Sequence, residues 1–195
     1  SRTYPNLMTQ EGIRGDEASP PNDHTIVTLF SRLLAGPGDQ TNCYFNERIG
    51  TKMGSHAYQL AKTVCLFSPW QFLFWYDRPA GIQDVPELEF FAAVPCTWDE
   101  TRVLQAEMGR LAVIARRSGK QWFVGCMSAG AQREIQVKLD FLPRGEKRQA
   151  TIYGDDPAAA TPTKVKLDRV EVNSATVLKL KLIAAFSLLV LFALV

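Results

Sequence analysis

The chain has 195 residues, of which 46% are hydrophobic and 22% charged, an ordinary globular composition with enough length for one domain or two small ones. Its formal net charge is +2, and because basic and acidic residues are interspersed, the sequence lacks the basic stripe of a nucleic-acid-binding protein. The cysteines form no CxxC pair, which argues against a zinc site. Buried free thiols are the favoured interpretation, and a disulfide stays open if the protein is exported. The cysteines are Cys43, Cys65, Cys96 and Cys126.

The first stretch of the chain, from Arg2 to Glu17, combines two glutamates with glycines. Glu11 and Glu17 are separated by Gly12 and Gly15, and because glycine accepts a positive φ, the chain can bend and bring both carboxylates toward one point. Two converging carboxylates suit a hard cation, and they also suit general acid catalysis of glycoside cleavage. Acidic residues beside glycines are more often a solvated turn, so the residue pattern alone leaves both interpretations open.

Helices and loops are predicted for the first half of the chain. A breaker run at 18–23 leads into an amphipathic helix that Gly36 and Pro37 end, and the polar segment 39–54 indicates a loop. Ser55 caps a second helix that ends before Pro69, and Pro86 starts a short third one. The apolar face of the first helix is predicted to comprise Ile26, Leu29, Phe30, Leu33 and Leu34.

A dense aromatic run occupies residues 70–76. Such a run is more often core than a platform for sugars. Because sugars stack on exposed aromatic faces, a role for Trp70 or Trp75 beside a cleft stays open.

Short strands are predicted from Val103 onward. Residues 134–141 alternate strictly between polar and apolar, as expected for a strand with one buried face. The apolar phase changes near Asp168 and Arg169, which predicts a β-bulge there. Short strands at regular spacing, separated by turn residues, predict a small antiparallel β-sandwich. Trp122 and Tyr153 fall in apolar strands and are predicted to lie in its core.

The last segment, residues 183–195, is almost continuously apolar. A membrane-spanning helix needs about 20 apolar residues, and this run is shorter. Three interpretations are open: a partial membrane anchor, a replacement for a terminal strand, or an aberrant end such as a frameshifted reading. The last two are favoured, since a long apolar tail on a sandwich would promote aggregation.

The first stretch also resembles a signature of glycoside hydrolase family 97, the α-glucosidase and α-galactosidase family. Residues 2–17 read Arg-Thr-Tyr-Pro-Asn-Leu-Met-Thr-Gln-Glu-Gly-Ile-Arg-Gly-Asp-Glu, and two further blocks at 86–104 and 114–153 agree in order. The resemblance implies an α+β protein and implies that this chain is the C-terminal part of a longer enzyme. Residues 1–96 would be the end of a catalytic (β/α)8 barrel, 97–182 a C-terminal β-sandwich domain, and 183–195 a tail of uncertain origin.

The resemblance also implies roles for residues. Glu17 matches the general acid of the family, Glu11 matches a ligand of its calcium ion, and Glu17 lies in that ligand set as well. In the family the remaining Ca2+ ligands and the base or nucleophile lie upstream, so none is assigned here. His24 follows a Pro-Pro-Asn-Asp sequence that departs from the Pro-Pro-Glu-His of the family. It is either a substrate contact or, more often for a histidine at a helix start, structural.

The implied function is that of a calcium-dependent α-glycosidase acting on terminal α-glucosides or α-galactosides, inactive without the preceding part of the enzyme. The substrate would be an α-linked oligosaccharide or glycoside, and the family is periplasmic or secreted. The alternative is a non-catalytic β-sandwich that packs on the barrel, forms homo-oligomers or binds carbohydrate. Glucose or galactose specificity and an inverting or retaining mechanism both stay open.

Overall fold

The computed structural model describes residues 8–73, 76–82 and 84–182, and the backbone of residues 188–194. The described chain is mostly β, with antiparallel sheets and few helices. Its helices are α1 (Asn22–Phe30), α2 (His56–Cys65) and α3 (Leu88–Ala93). Its strands are β1 (Gln40–Thr41), β2 (Gln71–Phe72), β3 (Glu100–Glu107), β4 (Leu111–Ser118), β5 (Gln121–Ser128), β6 (Arg133–Lys138), β7 (Arg148–Asp155), β8 (Val165–Val172), β9 (Val177–Leu182) and β10 (Leu188–Leu194).

An antiparallel β-sandwich forms the second half of the chain. A six-stranded sheet has the order β3-β4-β5-β10-β7-β8, and β6 and β9 pair in a second sheet. Side chains from both sheets pack into one core, in which Trp122 of β5 contacts Phe141 in a tilted arrangement with ring centroids 4.7 Å apart. The antiparallel sandwich predicted from the strand spacing is therefore confirmed, as is the buried position of Trp122 and Tyr153.

Helix α2 covers the other face of the six-stranded sheet, where it contacts β4, β5, β7 and β10. Every residue from Ala57 to Cys65 is buried, so the helix has no solvated face. Gly125 in β5 permits this close approach, because a Cβ there would lie 2.6 Å from Cys65 Sγ and 2.7 Å from the Ala61 carbonyl oxygen. A sheet covered on both faces also explains why β4 and β5 are apolar at successive positions and do not alternate.

The apolar tail supplies a central strand. Residues 188–194 form β10, which pairs antiparallel with β5 on one side and β7 on the other. A strand in a sheet covered on both faces has a continuous apolar run, the same pattern that suggested a membrane anchor or an aberrant end. For this segment the structure therefore agrees with the terminal-strand interpretation. Residues 183–187 lie outside the described part. No helix in the described ranges is long and apolar enough to cross a membrane.

The bulge predicted near Asp168 and Arg169 is wrong. The β7–β8 ladder runs without a register shift from the Arg148–Val172 pair to the Asp155–Val165 pair. The apolar phase changes because β8 has two buried faces: Val172 belongs to the core between the sheets, whereas Val165 packs with α2. The irregularity lies instead in β3, between Val103 and Gln105.

Parallel pairing with helical crossovers organises the first half. β1 pairs parallel with β2, and α2 lies between them in sequence. In the same way Gln10 forms a parallel bridge with Gly38, and α1 lies between those two residues. The loop predicted for 39–54 thus contains the short strand β1. Both connections have the order of a βαβ unit, although each strand is only one or two residues long.

Two predicted helix features differ in the structure. The first helix ends at Phe30 and continues as a short 3-10 helix, Arg32–Ala35, so that Leu34 leaves the apolar face and is 80% exposed. The short third helix begins at Leu88, after Pro86 and Glu87 have formed a turn. The Ser55 cap is confirmed, since its Oγ accepts the backbone N–H of Tyr58 at 3.0 Å.

Candidate functional site

The candidate site lies at the edge where three parallel segments end. Gln10, β1 and β2 run in the same direction, and each is followed by a loop, at 11–21, at 42–55 and, in the part that the structure describes, at 73, 76–82 and 84–87. We call these the carboxyl-end loops. The carboxyl ends of parallel strands lie at the same edge of a sheet, and α/β proteins bind their ligands at that edge. Glu11 and Glu17 both belong to the first of these loops.

Glu17 lies in a single 3-10 turn, Asp16–Ala18, and its side chain is exposed. The Glu17 carboxylate folds back over Gly15, where an added Cβ would collide with Glu17 Oε2 and lie 2.8 Å from Thr41 Cβ of β1. Gly15 has a φ of −80°, so it provides space and not the positive φ expected from the sequence. Gly12, with a φ of +121°, does adopt the conformation that favours glycine.

Asp16 is buried directly before Glu17 and holds the turn in place. One Asp16 carboxylate oxygen accepts from Lys62 Nζ of α2, and the other accepts the backbone N–H of Cys43 at 3.2 Å. Burial lowers the pKa of Lys62, and the adjacent Asp16 carboxylate opposes that shift. Burial and Asp16 together raise the pKa of the Cys43 thiol to about 12, so the thiol stays protonated at neutral pH. The turn that carries Glu17 is thereby anchored to α2.

Arg48, in the second carboxyl-end loop, anchors the same turn from another side. Its Nη1 donates to the Glu17 carbonyl oxygen at 3.3 Å and to Ser19 Oγ at 2.8 Å. Its Nε donates to Asn46 Oδ1 at 2.9 Å. One guanidinium therefore connects the first and second loops through the backbone of Glu17, and it leaves the Glu17 carboxylate for other partners.

Glu11 lies in an exposed bend of the first loop. Its backbone carbonyl accepts from Arg32 Nη2 at 3.2 Å. Together with Gly12, Ile13 and Arg14 it lines an open surface depression. The two predicted carboxylates thus share one loop but have different surroundings.

Calcium takes six to eight oxygen ligands, which two glutamates cannot supply. Within the ranges that the structure describes, no group of three or more His, Cys, Asp or Glu is arranged to hold a metal ion. The described residues therefore do not fit a complete calcium site. The metal-binding roles of Glu11 and Glu17, and the catalytic role of Glu17, stay predictions.

His24 is exposed near the start of α1. Its backbone N–H donates to Asp23 Oδ1 at 2.8 Å, and its carbonyl accepts from Thr28 Oγ1 at 3.1 Å. Both contacts use main-chain atoms of His24, and the substrate contact proposed for its side chain stays a prediction.

Sequence reasoning missed the residues that anchor the Glu17 turn. Asp16 and Lys62 are 46 positions apart, so no local pattern connects them. One signal was present: Lys62 occupies a helix whose other positions indicate burial, and a lysine that is buried needs a partner. Arg48 lies in a polar loop where nothing in the sequence distinguishes it.

A second group of polar residues lies where the first half contacts the sandwich, and one of its hydrogen bonds joins the two. Tyr44 Oη donates to the buried Glu87 Oε1 at 2.9 Å, and Ser55 Oγ donates to Asp155 Oδ2 of β7 at 2.6 Å. His56 is half-buried between them, with its ring edge-on to Tyr44 at a centroid distance of 5.1 Å. Burial lowers the pKa of His56 to about 4, so it is neutral at physiological pH.

The cysteines agree in part with the sequence. All four are free; Cys43, Cys65 and Cys126 are buried as expected, whereas Cys96 is exposed.

Comparisons with known proteins agree with this architecture. Residues 97–185 match a family model described as the glycosyl-hydrolase 97 C-terminal, oligomerisation domain. The chain is 34% identical over 177 residues to a retaining alpha-galactosidase of Bacteroides thetaiotaomicron, covering 80% of this chain and 26% of that protein. It is also 34% identical over 140 residues to a probable retaining alpha-galactosidase of Streptomyces bingchenggensis, covering 71% of this chain and 22% of that protein.

Among solved structures, a glycoside hydrolase family 97 enzyme of Pseudoalteromonas sp. strain K8 in complex with panose superimposes with a TM-score of 0.83 and 28% identity, covering 100% of this chain and 33% of that one. A beta-arabinopyranosidase superimposes with a TM-score of 0.78 and 25% identity, covering 96% of this chain and 31% of that one. The chain therefore spans about a quarter of the length of the curated relatives that it matches. The matched domain, the two α-galactosidase relatives and a structural match across the whole chain lead to one conclusion: the chain is related to the enzymes of glycoside hydrolase family 97, and its residues 97–185 match the C-terminal domain of that family.

Proposed function

We propose that this chain is the C-terminal portion of an α-glycosidase, in which Glu17 is the general acid. The observation that carries the proposal is the position of Glu17 in the loop after the first of three parallel segments. Barrel enzymes take their catalytic residues from the carboxyl ends of their strands. The Asp16–Lys62 ion pair and Arg48 hold the backbone on either side of Glu17, as a proton donor that must meet a leaving oxygen requires.

The proposal includes a barrel. Two successive β–helix–β connections with parallel pairing, around α1 and α2, are the repeating unit of a (β/α)8 fold, and residues 1–96 would supply its last units. The remaining strands would come from chain that precedes these units in the full enzyme.

In glycoside hydrolysis one carboxyl group protonates the leaving oxygen while a second carboxylate acts on the other face of the sugar. Glu17 would provide the first function, with its side chain lying over Gly15 and accessible to solvent. No residue of this chain is assigned to the second. A calcium ion, if bound, would polarise sugar hydroxyls near the site, with Glu11 and Glu17 as two of its oxygen ligands and the others from the rest of the enzyme.

The sandwich has a separate proposed role. The family model that matches residues 97–185 is described as an oligomerisation domain, and we propose that copies of the full enzyme associate through it. Within one copy it also supports the site, because α2 packs on the six-stranded sheet and carries Lys62 to Asp16.

Hydrolysis of aryl α-galactoside and α-glucoside tests the catalytic proposal. We expect no turnover by residues 1–195 alone, since no second catalytic carboxylate is assigned to them. Turnover is expected when they replace the corresponding part of the Bacteroides thetaiotaomicron retaining alpha-galactosidase. In that enzyme Glu17→Gln should reduce kcat at least 100-fold on a substrate with a poor leaving group, since general acid catalysis contributes about 10²–10⁴-fold.

The matched control is Glu134→Gln, which changes an exposed carboxylate of β6 in the same way. Equal activity of the Glu17→Gln and Glu134→Gln enzymes would contradict the assignment of Glu17.

A further inference from the structure

A cavity of about 470 Å³ lies between the second and third carboxyl-end loops. Its volume falls within the roughly 300–1,000 Å³ of small-molecule sites. Both loops follow parallel strands, so the cavity lies at the same edge of the sheet as Glu17. Its lining combines aromatic, amide, carboxylate and guanidinium groups, contributed by Phe45, Asn46, Glu47, Tyr76, Asp77 and Arg78.

Tyr76 is unusual in its backbone as well as in its exposure. It has a φ of 65°, in the left-handed region that non-glycine residues rarely occupy, and it is 64% exposed. Such strain persists where surrounding contacts hold it, and it concentrates at binding sites. One such contact is made by the next residue. Asp77 Oδ2 accepts the backbone N–H of Phe45 at 3.0 Å, and this hydrogen bond joins the third loop to the second.

Two side chains, those of Asn46 and Arg48, connect the cavity with Glu17. Asn46 lines the cavity, and its Oδ1 accepts from Arg48 Nε at 2.9 Å and from the Arg48 backbone N–H at 3.1 Å. Arg48 in turn donates to the Glu17 carbonyl oxygen at 3.3 Å. The cavity wall and the proposed general acid are therefore held by the same guanidinium.

The charges of the lining define the kind of ligand. Glu47 and Asp77 carry two negative charges against one positive charge on Arg78, which disfavours an anionic ligand. A carboxylate has about four acceptor positions, so Asp77 can accept a hydroxyl in addition to the Phe45 amide. An exposed tyrosine beside such acceptors suits a pyranose ring, whose C–H groups contact the negative face of an aromatic ring while its hydroxyls donate to oxygens.

We propose that this cavity is a subsite for a neutral pyranose ring of the substrate, with Tyr76 as the stacking surface and Asn46 and Asp77 as hydroxyl partners. The identity of the ligand rests on the proposed function, since an α-glycosidase must hold the sugar units next to its general acid. The subsite itself rests on the cavity, its lining and the Arg48 connection.

Saturation-transfer NMR on the 195-residue chain tests the subsite, with methyl α-galactoside, methyl α-glucoside and glucuronate as probes. We expect millimolar binding of the two neutral glycosides and at least fivefold weaker binding of glucuronate. Tyr76→Ala should weaken binding of the neutral glycosides at least fivefold, whereas Tyr76→Phe, which keeps the ring, should weaken it less than twofold.

Trp70→Ala is the matched control. Trp70 is another exposed aromatic residue, 51% accessible, but it immediately precedes β2 and so lies at the opposite end of that strand. This variant should bind like the parent chain. Absence of binding by the parent, or equal binding by Tyr76→Ala and the parent, would overturn the subsite. Circular dichroism of each variant establishes that it is folded.

The outcomes separate the subsite from the catalytic proposal. In the full enzyme, Tyr76→Ala should raise KM at least fivefold with a smaller change in kcat, whereas Glu17→Gln lowers kcat. Loss of activity in Glu17→Gln with an unchanged KM in Tyr76→Ala would reject the subsite alone. Tyr76-dependent sugar binding by an enzyme that hydrolyses no α-glycoside would reject the catalytic proposal alone.

Discussion

Lys62 Nζ donates to the Asp16 carboxylate where the two side chains are only 2% and 3% exposed, so the residue next to Glu17 forms an ion pair excluded from water. A buried pair of this kind contributes little relative to apolar residues, but removal of one partner leaves an uncompensated charge. The pair therefore acts as a positional constraint on the first carboxyl-end loop.

Removal of one partner of this pair should destabilise the chain. We expect Lys62→Met to lower the free energy of unfolding by about 3 kcal/mol, because it leaves the Asp16 carboxylate buried without a cation. The double variant Lys62→Met/Asp16→Asn should recover part of that loss, since it removes the stranded charge. Urea unfolding monitored by circular dichroism measures both values. A double variant less stable than Lys62→Met would contradict this account.

Gly15 should not tolerate a side chain. Alanine there would lie 2.8 Å from Thr41 Cβ of β1, and such overpacking costs about 1–3 kcal/mol, whereas the exposed Glu17 carboxylate can move aside. Gly81→Ala is the control, because a Cβ at Gly81 meets nothing within 4 Å. We expect Gly15→Ala to lower the urea midpoint while Gly81→Ala leaves it within error. Equal midpoints for the two variants would contradict the close packing of Gly15 against β1.

His56 should make stability depend on pH. Its pKa is about 4 in the folded chain and about 6.5 in the unfolded chain, so below pH 6.5 the unfolded state binds a proton that the folded state does not. Stability from this residue is therefore complete above pH 6.5 and declines as the pH falls toward 4. The decline should reach about 2 kcal/mol at pH 5.

The His56→Phe variant isolates this contribution, since it keeps a ring beside Tyr44 and removes the titratable group. Its loss of stability between pH 7.5 and pH 5 should be about 2 kcal/mol smaller than that of the parent. An identical pH dependence in parent and variant would mean that His56 titrates normally in the folded chain.

Truncation after Leu182 should abolish the fold of the sandwich. β10 pairs on both sides, so its removal leaves unpaired edges on β5 and β7 in the middle of the sheet. We expect the truncated chain to lose cooperative thermal unfolding and to aggregate in size-exclusion chromatography. A tail that is only an appendage predicts the opposite result: a monodisperse truncated chain with an unchanged melting temperature.

The strands of the sandwich could be predicted because most of them have a local signal. In β6, Ile135 and Val137 are buried while Glu134 and Gln136 are exposed, the alternation of a strand with one solvated face. The same signal disappears where both faces of a sheet are covered. For that reason the tail resembled a membrane segment, and the apolar phase change of β8 resembled a bulge.

The site was predictable only in part. Glu11 and Glu17 stood out because a short glycine-containing segment carries them, and the resemblance to a family signature gave them roles. The contacts that fix Glu17 come from α2 and from the second loop, and only folding brings Lys62 and Arg48 to it. β1 and β2 have two residues each, too few for a periodic pattern, so the edge at which the loops meet had no signal in the residues.

The position of β10 also bears on how the chain folds as it is synthesised. β5 and β7 emerge from the ribosome well before residues 188–194, and the strand that belongs between them comes after β8 and β9. During translation the larger sheet therefore exists as two separate parts, the three strands β3-β4-β5 and the hairpin β7-β8, and the edges of β5 and β7 that later pair with β10 are unpaired. The final insertion pairs β10 with β5 across more than 60 residues, and pairing over such a sequence distance is slow, so protection by a chaperone would matter most in that interval.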